Sequence, residues 1–448
     1  MRIGALLLGA LALYAQPSRD PVEVLGLARA KLLDTVEHLP RYTCVETIDR
    51  RYFEQRRLQQ WPPPSRPSCQ DALKAHDAGQ ASLQLTDRLR LDVAVANGHE
   101  IYSWAGAGRF ESKQILELIG GGPIGTGSFG PFLISIFANP GIQFAYQGEE
   151  TVDRQSLLAY QFRVPLELSH YELQAGNERR TIPYDGTFWL DPESADLRRL
   201  RVHASKLAEE LGICEATTTV VFERARIGAG VYLLPNESRM RSVSIGLESE
   251  NVSAYSACRE YRGESVVHFD ETEPVAPTSP PVADLPTGGL PRGLRILLAF
   301  EKEIDSETAA AGDPVVAKVR KDVIDPRSKR ILVPAGAMAK GRITRLAQQL
   351  VPRPYFMVAI LFETLESNGT TTRFSAVVDP KSGPLASFSI SAADLARERA
   401  AGPAVAPRIP PGADFSAGRT LVFPSPASRY VVPRGYESHW LTGAAPAQ

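Results

Sequence analysis

Stretches in which every second residue is apolar dominate the chain. Over residues 83–95 the apolar positions are Leu83, Leu85, Leu89, Leu91, Val93 and Val95, and Asp87 is the one polar residue in that register. Residues 158–168 repeat the pattern with Leu158, Tyr160, Phe162, Val164, Leu166 and Leu168, separated by Ala159, Gln161, Arg163, Pro165 and Glu167. A period of two puts one face in a core and the other in water, which is the mark of an antiparallel sheet. Further strand pairs are predicted at 187–190 with 197–204, at 216–225, and at 231–234 with 239–248. Asn97-Gly98 supplies a hairpin turn, because both residues tolerate positive φ. The prediction is one long antiparallel sheet with a few helices.

Helices are predicted at two places in the first region, and one short helix in the 380–414 insertion, where Ser391 and Asp394 resemble a capping box and Gly402 the stop. Val24, Leu25, Ala28, Leu32, Leu33 and Val36 recur every three or four residues. Asp20 can cap that helix, Pro21 suits its first position, and Pro40 ends it. The second place is an insert at 112–138, with apolar runs at 114–119 and 132–138 joined by a Gly-rich loop. These runs have nowhere to bury except against the sheet.

Composition then sets the boundaries. The stretch 271–291 has six Pro in 21 residues and no aromatic, so it reads as an extended linker. It separates a region at 16–270 from a smaller one at 292–441, with a loop insertion at 380–414 and a frayed tail at 442–448. Residues 1–15 read as a signal peptide: Arg2 precedes an apolar run of 11 residues, too short to span a bilayer. No later segment is apolar enough to span one, so a soluble exported protein is expected, in the periplasm or outside the cell. Export gives meaning to the four cysteines, Cys44, Cys69, Cys214 and Cys258. They admit three connectivities, of which the pairing of neighbours, Cys44–Cys69 and Cys214–Cys258, is the expectation. The balance of 50 Lys+Arg against 51 Asp+Glu leaves no basic excess, which argues against a nucleic-acid partner.

Two resemblances follow from these residues. The helix, the meander of half-buried strands and the turn Phe188-Trp189-Leu190-Asp191-Pro192-Glu193 leading to Leu197-Arg198-Arg199-Leu200 resemble the outer-membrane lipoprotein-sorting (lipoprotein-carrier) superfamily. That resemblance covers about 20–270 and implies a curved half-barrel wrapped around a helical plug. In the second region, Ile304-Asp305-Ser306, Gly312-Asp313-Pro314, Ile331-Leu332-Val333, Pro334-Ala335-Gly336 and Gly341-Arg342-Ile343 resemble the small β-barrel of TrbI-like proteins of conjugation and type IV secretion. The resemblance carries over the barrel, not the channel. The fold expected is therefore mainly β: a curved antiparallel half-barrel with a helical insert, followed by a second, smaller barrel.

No catalytic constellation emerges. Gly125-Thr126-Gly127-Ser128-Phe129-Gly130 fits GxGxxG, but a helical run precedes it where a dinucleotide loop needs a strand. The seven histidines are scattered and include no HExxH pair. A non-catalytic envelope protein without metal or cofactor is expected. It would bind an apolar ligand, such as a lipid or a lipoprotein acyl chain, or an envelope protein partner. The candidate cavity wall is Ile115, Leu118, Phe129, Phe132 and Ile136 from the insert, facing Leu158, Tyr160, Phe162 and Val164. The alternatives are a structural or interaction protein with both regions fully packed, and a secreted hydrolase.

Overall fold

The computed structural model describes residues 19–55, 67–96, 99–107, 110, 115–119, 122–175, 178–205, 207, 212–261, 290–351, 354–379 and 419–443. The signal-like segment, the Asn97-Gly98 turn, most of 271–291, the 380–414 insertion and residues 444–448 lie outside them.

Helix α1, Pro21–His38, starts where the Asp20 carboxylate accepts from the Val22 N–H at 2.9 Å, and Pro21 has no N–H to leave unpaired. The strands of the first region are β1 (Tyr42–Gln55), β2 (Ala81–Ala96), β3 (His99–Trp104), β4 (Phe144–Val152), β5 (Gln155–Val164), β6 (Glu172–Ala175), β7 (Glu178–Thr181), β8 (Tyr184–Leu190), β9 (Leu197–Ser205), β10 (Ile213–Ile227), β11 (Gly230–Ser244) and β12 (Leu247–Glu260). Helix α2, Cys69–Asp77, lies between β1 and β2. The insert forms α3 (Ile115–Ile119) and α4 (Pro131–Leu133), the latter running on into a π-helical turn, Ile134–Ala138.

Pairing runs β4–β5–β8–β9–β10–β11–β12–β1–β2–β3, antiparallel throughout, while β6 and β7 form a separate ribbon. A sheet this wide curls, and its concave face needs a cover. Helix α1 and the insert supply it. Val24, Ala28 and Leu32 of α1 share one core with Phe132, Ile136 and Phe137 of the insert and with Leu158, Phe188 and Leu200 of the sheet.

The second region comprises β13 (Arg295–Phe300), β14 (Ile304–Asp305), β15 (Pro314–Val319), β16 (Val323–Ile324), β17 (Ile331–Val333), β18 (Met338–Gln349), β19 (Tyr355–Ser367), β20 (Thr370–Arg373), β21 (Ala376–Val378), β22 (Thr420–Pro424), β23 (Val431–Val432) and β24 (Glu437–Thr442). Its ladder runs β24–β13–β15–β18–β19. The segment 370–378 pairs first with β19 and then with β24, which returns the ladder to its start. The enclosed core centres on Phe300, Phe362, Phe374 and Trp440.

The two regions are not separate in the sheet. Ala347, Gln348 and Gln349 of β18 pair with Asp87, Thr86 and Leu85 of β2. Just above, the Ala311 N–H donates to the Arg88 carbonyl at 2.9 Å and the Arg90 N–H to the Ala311 carbonyl at 2.7 Å. The β2 edge is thus divided among β3, the 308–313 loop and β18. Tyr52 and Leu85 from one side and Ala347, Met357 and Val422 from the other form an apolar cluster under the seam. Arg90 binds both Asp313 and the Thr308 carbonyl across it.

Three sequence expectations are corrected. The alternation at 158–168 does not all belong to one strand: β5 stops at Val164, Pro165 has no N–H for a ladder, and Leu166–Leu168 form a 3₁₀ turn that leaves Leu166 exposed. The predicted pair at 231–234 and 239–248 is a single strand as far as Ser244, because Pro235 sits at a register shift opposite Phe222 and interrupts nothing. The cysteine pairing is crosswise: Cys44 binds Cys258 and Cys69 binds Cys214. Proximity along the chain misled, because β12 returns to lie against β1 and brings Cys258 to 4.1 Å Cα–Cα from Cys44. Cys69, the first residue of α2, reaches β10 at 5.2 Å and fastens that helix to the sheet.

Candidate functional site

The concave face beneath the insert carries polar groups as well as apolar ones. The inward register of β1 reads Tyr42, Cys44, Glu46, Ile48, Arg50, Tyr52, all buried. Two of these six, Glu46 and Arg50, are ionisable, and neighbouring strands and the insert answer them.

Glu100 on β3 is the clamp. Its carboxylate accepts the Gly127 N–H at 2.7 Å, the Phe129 N–H at 2.9 Å and the Tyr102 hydroxyl at 2.7 Å. The loop that fits GxGxxG is therefore held by an acid, the opposite of a phosphate cradle. Gly127 has a φ of +93°, which aims its N–H at Glu100 and which a residue with a Cβ rarely adopts. Phe129 then packs edge-on between Tyr255, at 4.6 Å between centroids, and Tyr42, at 6.0 Å.

Beside the clamp lies Glu46, 1% exposed, hydrogen-bonded to Ser253 and Tyr255. Burial pushes its carboxyl up to about 8, and the neighbouring Glu100 charge adds to the rise, so it is protonated at neutral pH. The Tyr102 and Tyr255 hydroxyls are pushed well above their ordinary range, first by burial and then by the carboxylates around them.

Arg50 is bound by Asp87 through two contacts of 2.7 Å, Nε to Oδ1 and Nη2 to Oδ2, with both side chains 4% exposed. A second network fixes α2. The buried Glu248 carboxylate accepts from Gln55 at 2.8 Å and meets His76 Nδ1 at 2.7 Å and Arg241 at 3.3 Å. His76 thus pins a helix to the sheet.

The predicted cavity wall divides between two cores. Phe129, with the partly buried Ile115 and Leu118, packs against β1, β2 and β3. Phe132 and Ile136 pack with Leu158, Tyr160, Phe162 and Val164 in the core that also contains α1. In this second group each side chain is at most 6% exposed and meets other protein atoms. Phe132 lies edge-on to Tyr171 at 5.3 Å, Tyr160 stacks on Phe188 at 5.2 Å, and the Tyr160 hydroxyl donates to the Pro21 carbonyl at 2.7 Å. Phe132 and Ile136 of the insert thus pack directly on the sheet.

The buried ionisable groups do leave a signal in the sequence. Asp87 interrupts an otherwise apolar register, and Glu46 and Arg50 occupy inward positions of β1.

Among solved structures, the chain is similar to a putative outer membrane lipoprotein-sorting protein domain from Vibrio parahaemolyticus: 13% identity, TM-score 0.27, covering 55% of this chain and 95% of that one. It is also similar to a DUF1329 family protein from Desulfovibrio piger: 14% identity, TM-score 0.25, covering 56% and 98%. A third similarity is to ComB10 of the Com type IV secretion system of Helicobacter pylori: 10% identity, TM-score 0.18, covering 34% and 86%. No family model and no curated protein matches the chain.

Proposed function

We propose that this is an exported, non-catalytic protein of the bacterial envelope that works as an interaction module, its two regions presented to a protein partner as one body. The observation that supports the reading is the burial of the concave face beneath the insert: Ile136, Leu158 and Val164 are each 0% exposed. The seam between β2 and β18 supports a fixed relation of the two regions. The two disulfides support residence in an oxidising compartment, since such bonds rarely persist in a reducing cytosol.

A second reading keeps the half-barrel as a carrier of an apolar chain, with the insert as its lid. It is favoured by the hold on the insert's loop, where one carboxylate receives both the Gly127 and the Phe129 N–H groups. Lifting the insert would expose Ile115, Leu118, Phe129, Phe132 and Ile136 on one side and Leu158, Tyr160, Phe162 and Val164 on the other. Displacement of a fluorescent fatty acid from the full-length protein separates the two. The interaction reading expects no saturable binding, and saturable binding lost in Phe132→Ala would replace it with the carrier reading.

A further inference from the structure

A row of side chains crosses the concave face and passes from the first region into the second. Asn251 on β12 stands opposite Arg50 on β1, Arg50 opposite Asp87 on β2, and Asp87 opposite Ala347 on β18. Arg345 is two residues before Ala347 on the same strand, so it lies on the same face. It interacts electrostatically with Asp87, Tyr52, Arg50 and Tyr355. The insert roofs the row. A Cβ on Gly122 would stand 2.8 Å from the Tyr52 hydroxyl and 2.9 Å from Arg50 Nη1. Asn251 Nδ2 donates to the Pro123 carbonyl at 2.8 Å.

The charges in this row do not balance. Asp87 is committed to Arg50 through its two 2.7 Å contacts, and that pair is neutral. Arg345 brings a second guanidinium, whose Nε and Nη2 are buried without a hydrogen-bond partner. The Tyr52 hydroxyl is buried without a partner as well. A buried donor left unpaired is costly, and a buried cation more so. An acceptor would relieve that cost, and a negative one would also balance the second guanidinium. A guanidinium offering two N–H groups from one fork matches two oxygens of an oxyanion.

We propose that the seam between the two regions is a binding site for a phosphate group, free or carried by a lipid headgroup, held by Arg345 Nε and Nη2 and by the Tyr52 hydroxyl. Burial lowers the proton affinity of Arg345, and the nearby Asp87 charge opposes that shift. The site would make the seam a sensor: an anion seated there adds contacts between β1 and β18 and tightens the joint between the regions.

The test uses the full-length protein and inorganic phosphate, with ionic strength held constant by sodium chloride. The thermal midpoint is expected to rise saturably with phosphate. Arg345→Met should abolish the rise while leaving the far-ultraviolet circular dichroism unchanged. If Arg345→Met fails to fold, Tyr52→Phe removes only the hydroxyl and should raise the half-saturating phosphate concentration by about tenfold, the loss of one hydrogen bond to a charged group. Sedimentation with phosphatidylglycerol vesicles distinguishes the sources. Co-sedimentation competed by inorganic phosphate assigns the headgroup, and its absence beside a phosphate-dependent midpoint assigns the free ion. A midpoint identical in phosphate and chloride, or a phosphate response unchanged in both variants, overturns the proposal.

Discussion

Ala347, in the second region, stands directly opposite Asp87, in the first, as neighbours in one antiparallel ladder. That register turns two regions divided by a Pro-rich stretch of sequence into parts of a single sheet. Composition at 271–291 suggests independence, yet the β2 edge would expose unpaired backbone groups if the second region were removed.

Cleavage within 271–291 is therefore expected to leave the two fragments bound to each other. On gel filtration the nicked protein should elute as one peak and separate only in denaturant. Gly312→Ala should loosen the joint, because the added Cβ would stand 2.1 Å from the Arg90 carbonyl and the φ of +110° suits glycine alone. A strained backbone of this kind costs about 1–3 kcal/mol. Two freely separating fragments, each folded, would show that the regions are autonomous.

Glu46 makes stability depend on pH with a definite sign. Its carboxyl lies at about 8 in the folded protein, against an ordinary 4.5 once unfolded. Between those values the folded state holds more protons than the unfolded one. Stability is thus fully present below about pH 4.5 and is lost as pH rises toward 8, at a slope of up to about 1.4 kcal/mol per pH unit from this group. Thermal unfolding followed from pH 5 to 8 should show the decline, and Glu46→Gln should flatten it. An unchanged slope in that variant would assign the dependence elsewhere.

Much of this architecture is legible in the sequence, and the limits are physical. Helix α1 was readable from Asp20, Pro21 and the spacing of Val24, Ala28 and Leu32, because capping and periodicity are local. Strands β8 and β9 were readable from alternation and the turn between them. The seam was not readable, because which strand lies beside β2 depends on closure of the whole sheet and leaves no local mark. The same non-locality defeated the cysteine pairing. The candidate wall was half legible: period two identified the inward residues Leu158, Tyr160, Phe162 and Val164, but alternation says nothing about whether the space they face is empty. Glu46, Glu100 and Arg50 escaped because an ionisable residue in an apolar register reads as an interruption until its partner is known.

Non-reducing peptide mapping should recover Cys44 joined to Cys258 and Cys69 joined to Cys214. The bonds span 214 and 145 residues, and in the chain-entropy model each loop closure corresponds to about 5 kcal/mol, less where the loops overlap. Reduction should therefore lower the thermal midpoint markedly. Recovery of peptides joining sequence neighbours, Cys44 with Cys69, would place β12 or α2 wrongly.

The central claim is that the concave face is filled by the protein itself. Native mass spectrometry of the protein purified from the cell envelope without detergent exchange tests it most directly. Whatever is seated at the seam, the mass of the protein with its two disulfides should show no acyl-chain adduct that depends on Phe132. A reproducible lipid adduct that disappears in Phe132→Ala would contradict it and would show that the insert covers a ligand.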